Sequence, residues 1–303
     1  MKRILSALLV LVMALSCAAC AGANTAADQS KQTEPSNTPT TAPTTPTVPV
    51  EPPTKFEAQT VVDNAYCTIQ ITGIDPDNLF GYTLDVYLEN KSADTDFLFY
   101  VGFASVNGLS MDPLFSAEVT AGKKANEQLH FTDRELNALV GQFTDIELTF
   151  QVTDANDFMA KPVANPTVHV YPYGEENATV YQRPAQDTDV VVVDNEQVSV
   201  IVTEYTNDPI WGYCAKVFLV NKTDKELMFT ADDVSVNGFM LDPLFADLVE
   251  GGKCAYSFLS WLESDFEDNG ITDVQSIEFT LRVYDPTDWA ADDVVNMQIE
   301  LKP

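Results

Sequence analysis

Apolar and polar residues alternate along most of the chain beyond residue 56. In 81–90, Tyr82, Leu84, Val86 and Leu88 fall on one side, and Thr83, Asp85, Tyr87 and Glu89 on the other. Ile146, Leu148, Phe150 and Val152 alternate likewise with Glu147, Thr149, Gln151 and Thr153, and Ile277, Phe279, Leu281 and Val283 repeat the pattern later. A period of two over such runs marks half-buried antiparallel strands, because successive side chains leave a strand on opposite faces. Turn formers separate the runs: Asp75-Pro76-Asp77-Asn78, Asn90-Lys91-Ser92, Asn107-Gly108 and Asp112-Pro113. One helical interruption is predicted, where Thr132-Asp133-Arg134-Glu135 has capping-box spacing ahead of Leu136–Val140. Its counterpart is Ser264-Asp265-Phe266-Glu267, closed by Gly270.

That counterpart belongs to an internal duplication. Val61-Val62-Asp63-Asn64 returns as Val192-Val193-Asp194-Asn195, a shift of 131 residues, and Gly81-Tyr82 and Asn90-Lys91 return at the same shift as Gly212-Tyr213 and Asn221-Lys222. Ser105-Val106-Asn107-Gly108 and the Asp-Pro-Leu-Phe of 112–115 return as Ser235-Val236-Asn237-Gly238 and 242–245, shifted by 130. One copy spans 56–172 and the other 187–303, with 173–186 as a polar linker. A period this long implies duplicated domains rather than a solenoid. About seven or eight short strands per copy, with regular turns, give an all-β fold of two tandem immunoglobulin-like β-sandwich domains, each with one short helix. The Cys…Trp…Cys pattern of antibody domains is missing, so the expectation concerns architecture alone, and a closed β-barrel is the alternative.

Upstream, the chain changes character. Lys2 and Arg3 precede an apolar run over 4–15, the length of a signal-peptide core and too short to span a bilayer. The following Leu15-Ser16-Cys17-Ala18-Ala19-Cys20 resembles the lipobox of bacterial lipoproteins. That resemblance implies cleavage after 1–19 and a diacylglycerol on Cys20, with Cys17 as the alternative site and ordinary secretion as the plainer reading. A lipid there would hold the protein to the outer face of the bacterial cell membrane. Residues 20–55 are rich in Thr and Pro, and 21–55 contain no aromatic residue. Such a segment lacks the apolar area to offset its ordering entropy, so it reads as a disordered tether reaching into the cell wall, about 100 Å long at about 3.1 Å per residue.

Taken in order, Asn-Lys-[Ser/Thr], Ser-Val-Asn-Gly, Asp-Pro-Leu-Phe, an acidic short helix and Ile-Glu-x-Thr make both copies similar to uncharacterised Gram-positive bacterial lipoproteins with tandem immunoglobulin-like domains of unknown function. The resemblance implies a kind of protein, and no activity.

Charge narrows the partners. With 16 Lys and Arg against 46 Asp and Glu, the formal net charge is −30. Such a surface repels phosphate backbones, which argues against nucleic acid and leaves basic partners or divalent cations as favoured company.

Chemistry-bearing motifs are sparse. Phosphate loop, dinucleotide fingerprint and nucleophile elbow are missing, and two histidines, His130 and His169, are too few for a His-rich metal site. No cofactor is implied. Asp154 and Asp157, with Asp285, Asp288, Asp292 and Asp293 in the second copy, are the candidate calcium ligands, and Asp232-Asp233 is a similar case. None has the spacing of an EF-hand. Cys67, Cys214 and Cys254 have no cysteine at the matching position of the other copy, so no disulfide belongs to the shared fold, although an oxidising compartment would permit a Cys214–Cys254 bridge that leaves one thiol over. Ser-Val-Asn-Gly and Asp-Pro-Leu-Phe read as turns whose Leu and Phe return to the core. Trp261 and Trp289, matched by Phe131 and Phe158, read as core. Trp211, matched by Phe80 and set in the turn 207–211, is the candidate contact residue, for sugar stacking or for a protein. These features favour a non-catalytic surface binding or adhesion module for an envelope or extracellular protein or glycan. An envelope enzyme or its accessory subunit, and a calcium-dependent structural spacer, are the alternatives.

Overall fold

The computed structural model describes residues 56–157, 159–288 and 290–303. The signal segment, Cys17, Cys20, the tether, Phe158 and Trp289 lie outside the described residues.

The first repeat contains β1 (Gln59–Asp63), β2 (Cys67–Asp75), β3 (Tyr82–Asn90), β4 (Phe97–Val106), β5 (Leu109–Ser110), β6 (Ser116–Val119), β7 (Lys124–Phe131), α1 (Arg134–Val140), β8 (Ile146–Asp154) and β9 (Thr167–Val170). The second repeats this order as β10 (Val190–Asp194), β11 (Val198–Asp208), β12 (Gly212–Asn221), β13 (Leu227–Val236), β14 (Phe239–Met240), β15 (Ala246–Val249), β16 (Cys254–Trp261), α2 (Glu263–Asp268), β17 (Ile277–Tyr284) and β18 (Val295–Leu301). In each repeat an antiparallel sheet, β1-β2-β3-β7 or β10-β11-β12-β16, faces a second one built on β4-β8-β9 or β13-β17-β18. The short strands β5 and β6, like β14 and β15, pair along the free edge of β4 or β13. The architecture is all-β, with two immunoglobulin-like sandwiches and one short helix in each.

The alternating apolar positions make the cores. Ile69, Ile71, Leu84, Val86, Leu88 and Leu129 meet Phe97, Phe99, Ile146, Leu148, Phe150 and Val152 in the first repeat. Val200, Val217, Leu219 and Leu259 meet Phe229, Ile277, Leu281 and Val283 in the second. Trp261 and Phe131, each about 1 % exposed, hold matching core positions.

The residues shared by the two copies form a hydrogen-bonded frame. Asn90 and Asn221 are fully buried. Asn90 Nδ2 donates to the Thr95 and Val119 carbonyls at 2.8 Å, and Asn221 Nδ2 donates to Lys225 and Val249 at 2.7 and 2.8 Å. Their neighbours Lys91 and Lys222 pair with Asp63 and Asp194. Gly81 and Gly212 adopt φ +106° and +72°, and a Cβ there would lie 2.1 Å from the Phe131 or Trp261 carbonyl oxygen, so only glycine fits.

Both helices begin differently from the sequence expectation. Asp133, not Thr132, caps α1, its Oδ1 accepting from the Glu135 and Leu136 amides at 2.9 Å. The start of α2 falls at Leu262 rather than Ser264, with Asp265 Oδ2 accepting from the Leu262 amide at 3.2 Å. In each case a carboxylate within reach of orphan amides outcompetes the hydroxyl.

Residues 173–186 do not loop free between the repeats. They contain a short 3-10 turn (Glu175–Asn177) and then run along the first sandwich, where the Tyr181 amide donates to the Asn107 carbonyl at 2.7 Å. Arg183 closes a bidentate pair with Asp189 at 2.6 and 2.7 Å, and both side chains are largely covered.

Candidate functional site

The two repeats meet along a built junction. The Asn107-Gly108 turn has φ values of +53° and +81°, those of a tight hairpin, and Asn107 anchors it. Asn107 Oδ1 accepts from the Thr144 amide and hydroxyl at 2.9 and 2.8 Å and from the Asp145 amide at 3.0 Å, while Nδ2 donates to the Gln142 carbonyl at 2.7 Å. This turn presents the Gly108 carbonyl to the Cys254 amide at 3.0 Å, and β5 pairs in parallel with β16 at Leu109 and Cys254. One sheet thereby continues from the second repeat into the first. Around that bridge, Phe218 and Cys254 join the first repeat's core cluster, with Ile201, Val220, Tyr256 and Tyr181 packed against it. Tyr181 and Tyr256 share a hydroxyl hydrogen bond of 2.8 Å, and Lys253 pairs with Glu147 across the junction. Burial pushes the Cys254 thiol up to about 12, and Cys254 is free, so it is not bridged to Cys214.

This junction uses the outer face of sheet β10-β11-β12-β16, the side away from its own core. The matching face in the first repeat stays open and has a different character. Where the second repeat has Ile201, Phe218, Val220 and Tyr256, the first has Gln70, Tyr87, Glu89 and Asn126. An open depression of about 680 Å³ lies there, lined by Thr72, Asp85, Asn126, Glu127, Gln128 and His130. Gln128 Nε2 donates to Asp85 Oδ1 at 2.9 Å, and Thr83 Oγ1 lies 2.8 Å from His130 Nδ1.

A second feature occurs in both repeats. Leu79 and Phe80, in the β2–β3 turn, are 76 % and 61 % exposed, and Ile210 at the position of Leu79 is 53 % exposed. Trp211, at the position of Phe80, is half-buried against Phe258 at 5.8 Å between ring centroids, while Phe80 rests on His130 at 5.4 Å. The Asp-Pro-Leu-Phe segment departs from expectation here. Phe115 turns inward, but Leu114 and Leu244 are 48 % and 56 % exposed instead of returning to the core. Their backbones pair with His130 and Ser260 beside the same turn, and this edge pairing holds their side chains outward. Each repeat therefore carries an exposed apolar cluster at one edge of the same sheet. Trp211 was legible as a contact candidate. Leu79, Ile210, Leu114 and Leu244 were not singled out, although a bulky apolar residue next to Pro209 or between turn formers is a recognisable signal.

Asp154, Asp157, Asp232, Asp285, Asp288 and Asp293 are engaged in turns and ion pairs. Asp285 Oδ1 accepts from the Thr287 hydroxyl at 2.6 Å and its Oδ2 from Lys225 at 3.0 Å, and the Thr287 hydroxyl and then Lys225 pull its carboxyl down to about 2. Arg282 forks onto Asp293 at 3.0 and 3.1 Å and reaches Asp232 at 3.2 Å. Asp154, Asp157 and Asp288 accept amides of their own turns at 2.8 to 3.1 Å, from Asn156, Met159 and Ala290. Among the described residues no group of three or more His, Cys, Asp and Glu side chains converges as a bound cation would need. No helix among them is long and apolar enough to cross a membrane.

The sheets and the exposed clusters define an all-β protein of tandem immunoglobulin-like sandwiches. No family model matches the chain, and no curated protein matches it. Among solved structures it is similar to the CsuC–CsuE chaperone–tip adhesion subunit pre-assembly complex from archaic chaperone-usher Csu pili of Acinetobacter baumannii. The identity is 13 %, the match covers 72 % of this chain and 90 % of that one, and the TM-score is 0.22. At that score the likeness carries nothing to this chain, and the architecture stands on its own strand pairing.

Proposed function

We propose that this chain is a non-catalytic binding module, carried at the outer face of a bacterial membrane by a lipid on Cys20, with Cys17 as the alternative anchor. It holds a protein partner through two like contact sites, Leu79, Phe80 and Leu114 in one repeat and Ile210, Trp211 and Leu244 in the other. The observation that carries this reading is the recurrence of an exposed apolar cluster at the same sheet edge in both repeats. Contiguous exposed apolar groups mark contact sites, and aromatic side chains dominate the energy of such contacts. Two aliphatic side chains beside one aromatic ring in each cluster suit apolar protein side chains better than sugar hydroxyls. With a net charge of −30, a partner with basic margins is attracted at long range. The docked junction keeps the two sites at a fixed separation, so the second contact forms at high effective concentration.

The test is retention of envelope proteins on the full chain purified in detergent, with Leu79→Ser/Phe80→Ser, Ile210→Ser/Trp211→Ser and all four changes combined. Each pair should weaken retention and the combination should abolish it. An unchanged set of retained proteins with the fourfold variant overturns the reading. Incorporation of labelled lipid that survives Cys20→Ser and Cys17→Ser together overturns the anchor.

A further inference from the structure

We infer that the open outer face of the first repeat is a separate binding site for a neutral oligosaccharide, seated between Asp85, Asn126 and Gln128. The two repeats serve as each other's control, since fold and strand register are shared while this face differs. In the second repeat the face meets protein, and its contact positions are Ile201, Phe218, Val220 and Tyr256. In the first repeat the same positions are Gln70, Tyr87, Glu89 and Asn126, groups suited to hydrogen bonding with one aromatic ring among them.

The difference at the bulge is sharper. The β2–β3 and β11–β12 hairpins shift register at the same place, between Ile71 and Gly73 and between Val202 and Glu204. In the second repeat Glu204 reaches across to Lys216 at 2.8 Å, and this ion pair lies over the sheet. In the first repeat the same two positions are Gly73 and Asp85. A Cβ on Gly73 would sit 2.6 Å from Asp85 Oδ2, so the carboxylate occupies the space a side chain would need. That ion pair has no counterpart in the first repeat, and the depression of about 680 Å³ lies beside Asp85. That volume lies within the usual range of small-ligand sites.

The lining selects the ligand. The Asn126 and Gln128 carboxamides each offer donors and an acceptor, Asp85 offers acceptors, and Thr72 adds a hydroxyl, a set matched to neighbouring hydroxyl groups. Tyr87, two residues along β3 from Asp85, lies outside the depression, with Lys124 Nζ 5.9 Å from its ring centroid, so recognition rests on the hydrogen-bonding groups. Asp85 and Glu127 repel anionic polymers, while Glu89 is paired with Lys124 at 3.3 Å. The face lacks the aliphatic groups that meet protein in the second repeat, so a hydroxyl-rich uncharged chain fits best.

The test is calorimetric titration of the full chain, in a detergent without a sugar headgroup, with cellohexaose, xylohexaose, mannohexaose and chitohexaose, and with hexalysine. One of the four oligosaccharides should bind with one site per chain. Asp85→Ala or Gln128→Ala should each weaken it about tenfold, the loss of one hydrogen bond that the ligand cannot replace. Gly73→Glu/Asp85→Lys, which installs the second repeat's ion pair, should abolish the heat of binding while the melting temperature holds. If that double variant unfolds, the two alanine variants decide. Ile210→Ser/Trp211→Ser should leave the titration unchanged, which separates this site from the paired apolar clusters. Binding by none of the four, binding that survives both alanine variants, or binding of hexalysine alone overturns the inference.

Discussion

Phe218 tests whether the two sandwiches are docked or merely joined. On β12 it alternates away from its own core and, in an isolated domain, would stand on the surface. In this structure it is 6 % exposed, with Tyr256 at 4.9 Å, Tyr181 at 6.4 Å and the Arg183 guanidinium 5.8 Å from its ring. Phe218→Ala removes a buried ring and leaves a cavity, which costs about 3–5 kcal/mol in a packed core. The same change at an exposed position costs within about 0.5 kcal/mol. For a cooperative unit of this size, about 3 kcal/mol corresponds to a fall in melting temperature of roughly 6 °C or more. The internal reference is Tyr87→Ala, the matching position on the open face, with an expected cost under about 1 kcal/mol. Urea denaturation of both variants, followed by tryptophan fluorescence and circular dichroism, measures the difference. Equal and small effects of Phe218→Ala and Tyr87→Ala would refute the docked junction.

Other outcomes follow from single contacts. Gly81→Ala places a Cβ against the Phe131 carbonyl at positive φ, and it should destabilise by more than the roughly 1 kcal/mol of an ordinary glycine-to-alanine effect, as read by thermal melting. Asn107→Ala leaves the Thr144 and Asp145 amides without their acceptor in a buried site, and it should cost about 2–3 kcal/mol, while Asn237→Ala at the more open turn should cost less. Asp189 is held at about 2, chiefly by its hydrogen bonds from Arg183, so its stabilising contribution is present above the ordinary carboxylate range near about 3.9 and is lost as pH falls toward 2. Acid titration of Asp189→Asn against the parent chain should show the two stability curves converging over that window.

Much of the fold was legible because the alternating runs were long and occurred twice. Tyr82 to Leu88 and Ile146 to Val152 place their apolar residues inward as the period of two requires. The short strands β5 and β14 were not legible, since two residues carry no periodicity. The site was less legible for a physical reason. Outward positions of a sheet are free to be polar or apolar, and only tertiary docking shows that Phe218 and Tyr256 are covered while Tyr87 and Asn126 are not. Comparing the copies position by position, Gly73 with Glu204 and Asp85 with Lys216, contains the signal, but the bulge that brings those positions together appears only in the pairing register. The capping errors arose because both Thr132 and Asp133 fit a helix start, and the dihedral angles of the entering chain decide between them.

Cys254 also makes the molecule its own gauge of inter-domain breathing. Its sulfur lies beneath the first repeat's hairpin, whereas Cys67 sits inside the first sandwich's core and Cys214 is buried on the outward side of β12, against the Gly212 carbonyl. A small alkylating reagent should reach Cys254 whenever the halves part, and reach Cys67 only when the first sandwich itself opens. The ratio of labelling rates would then report how often the two halves let go of each other, with no probe added to the chain.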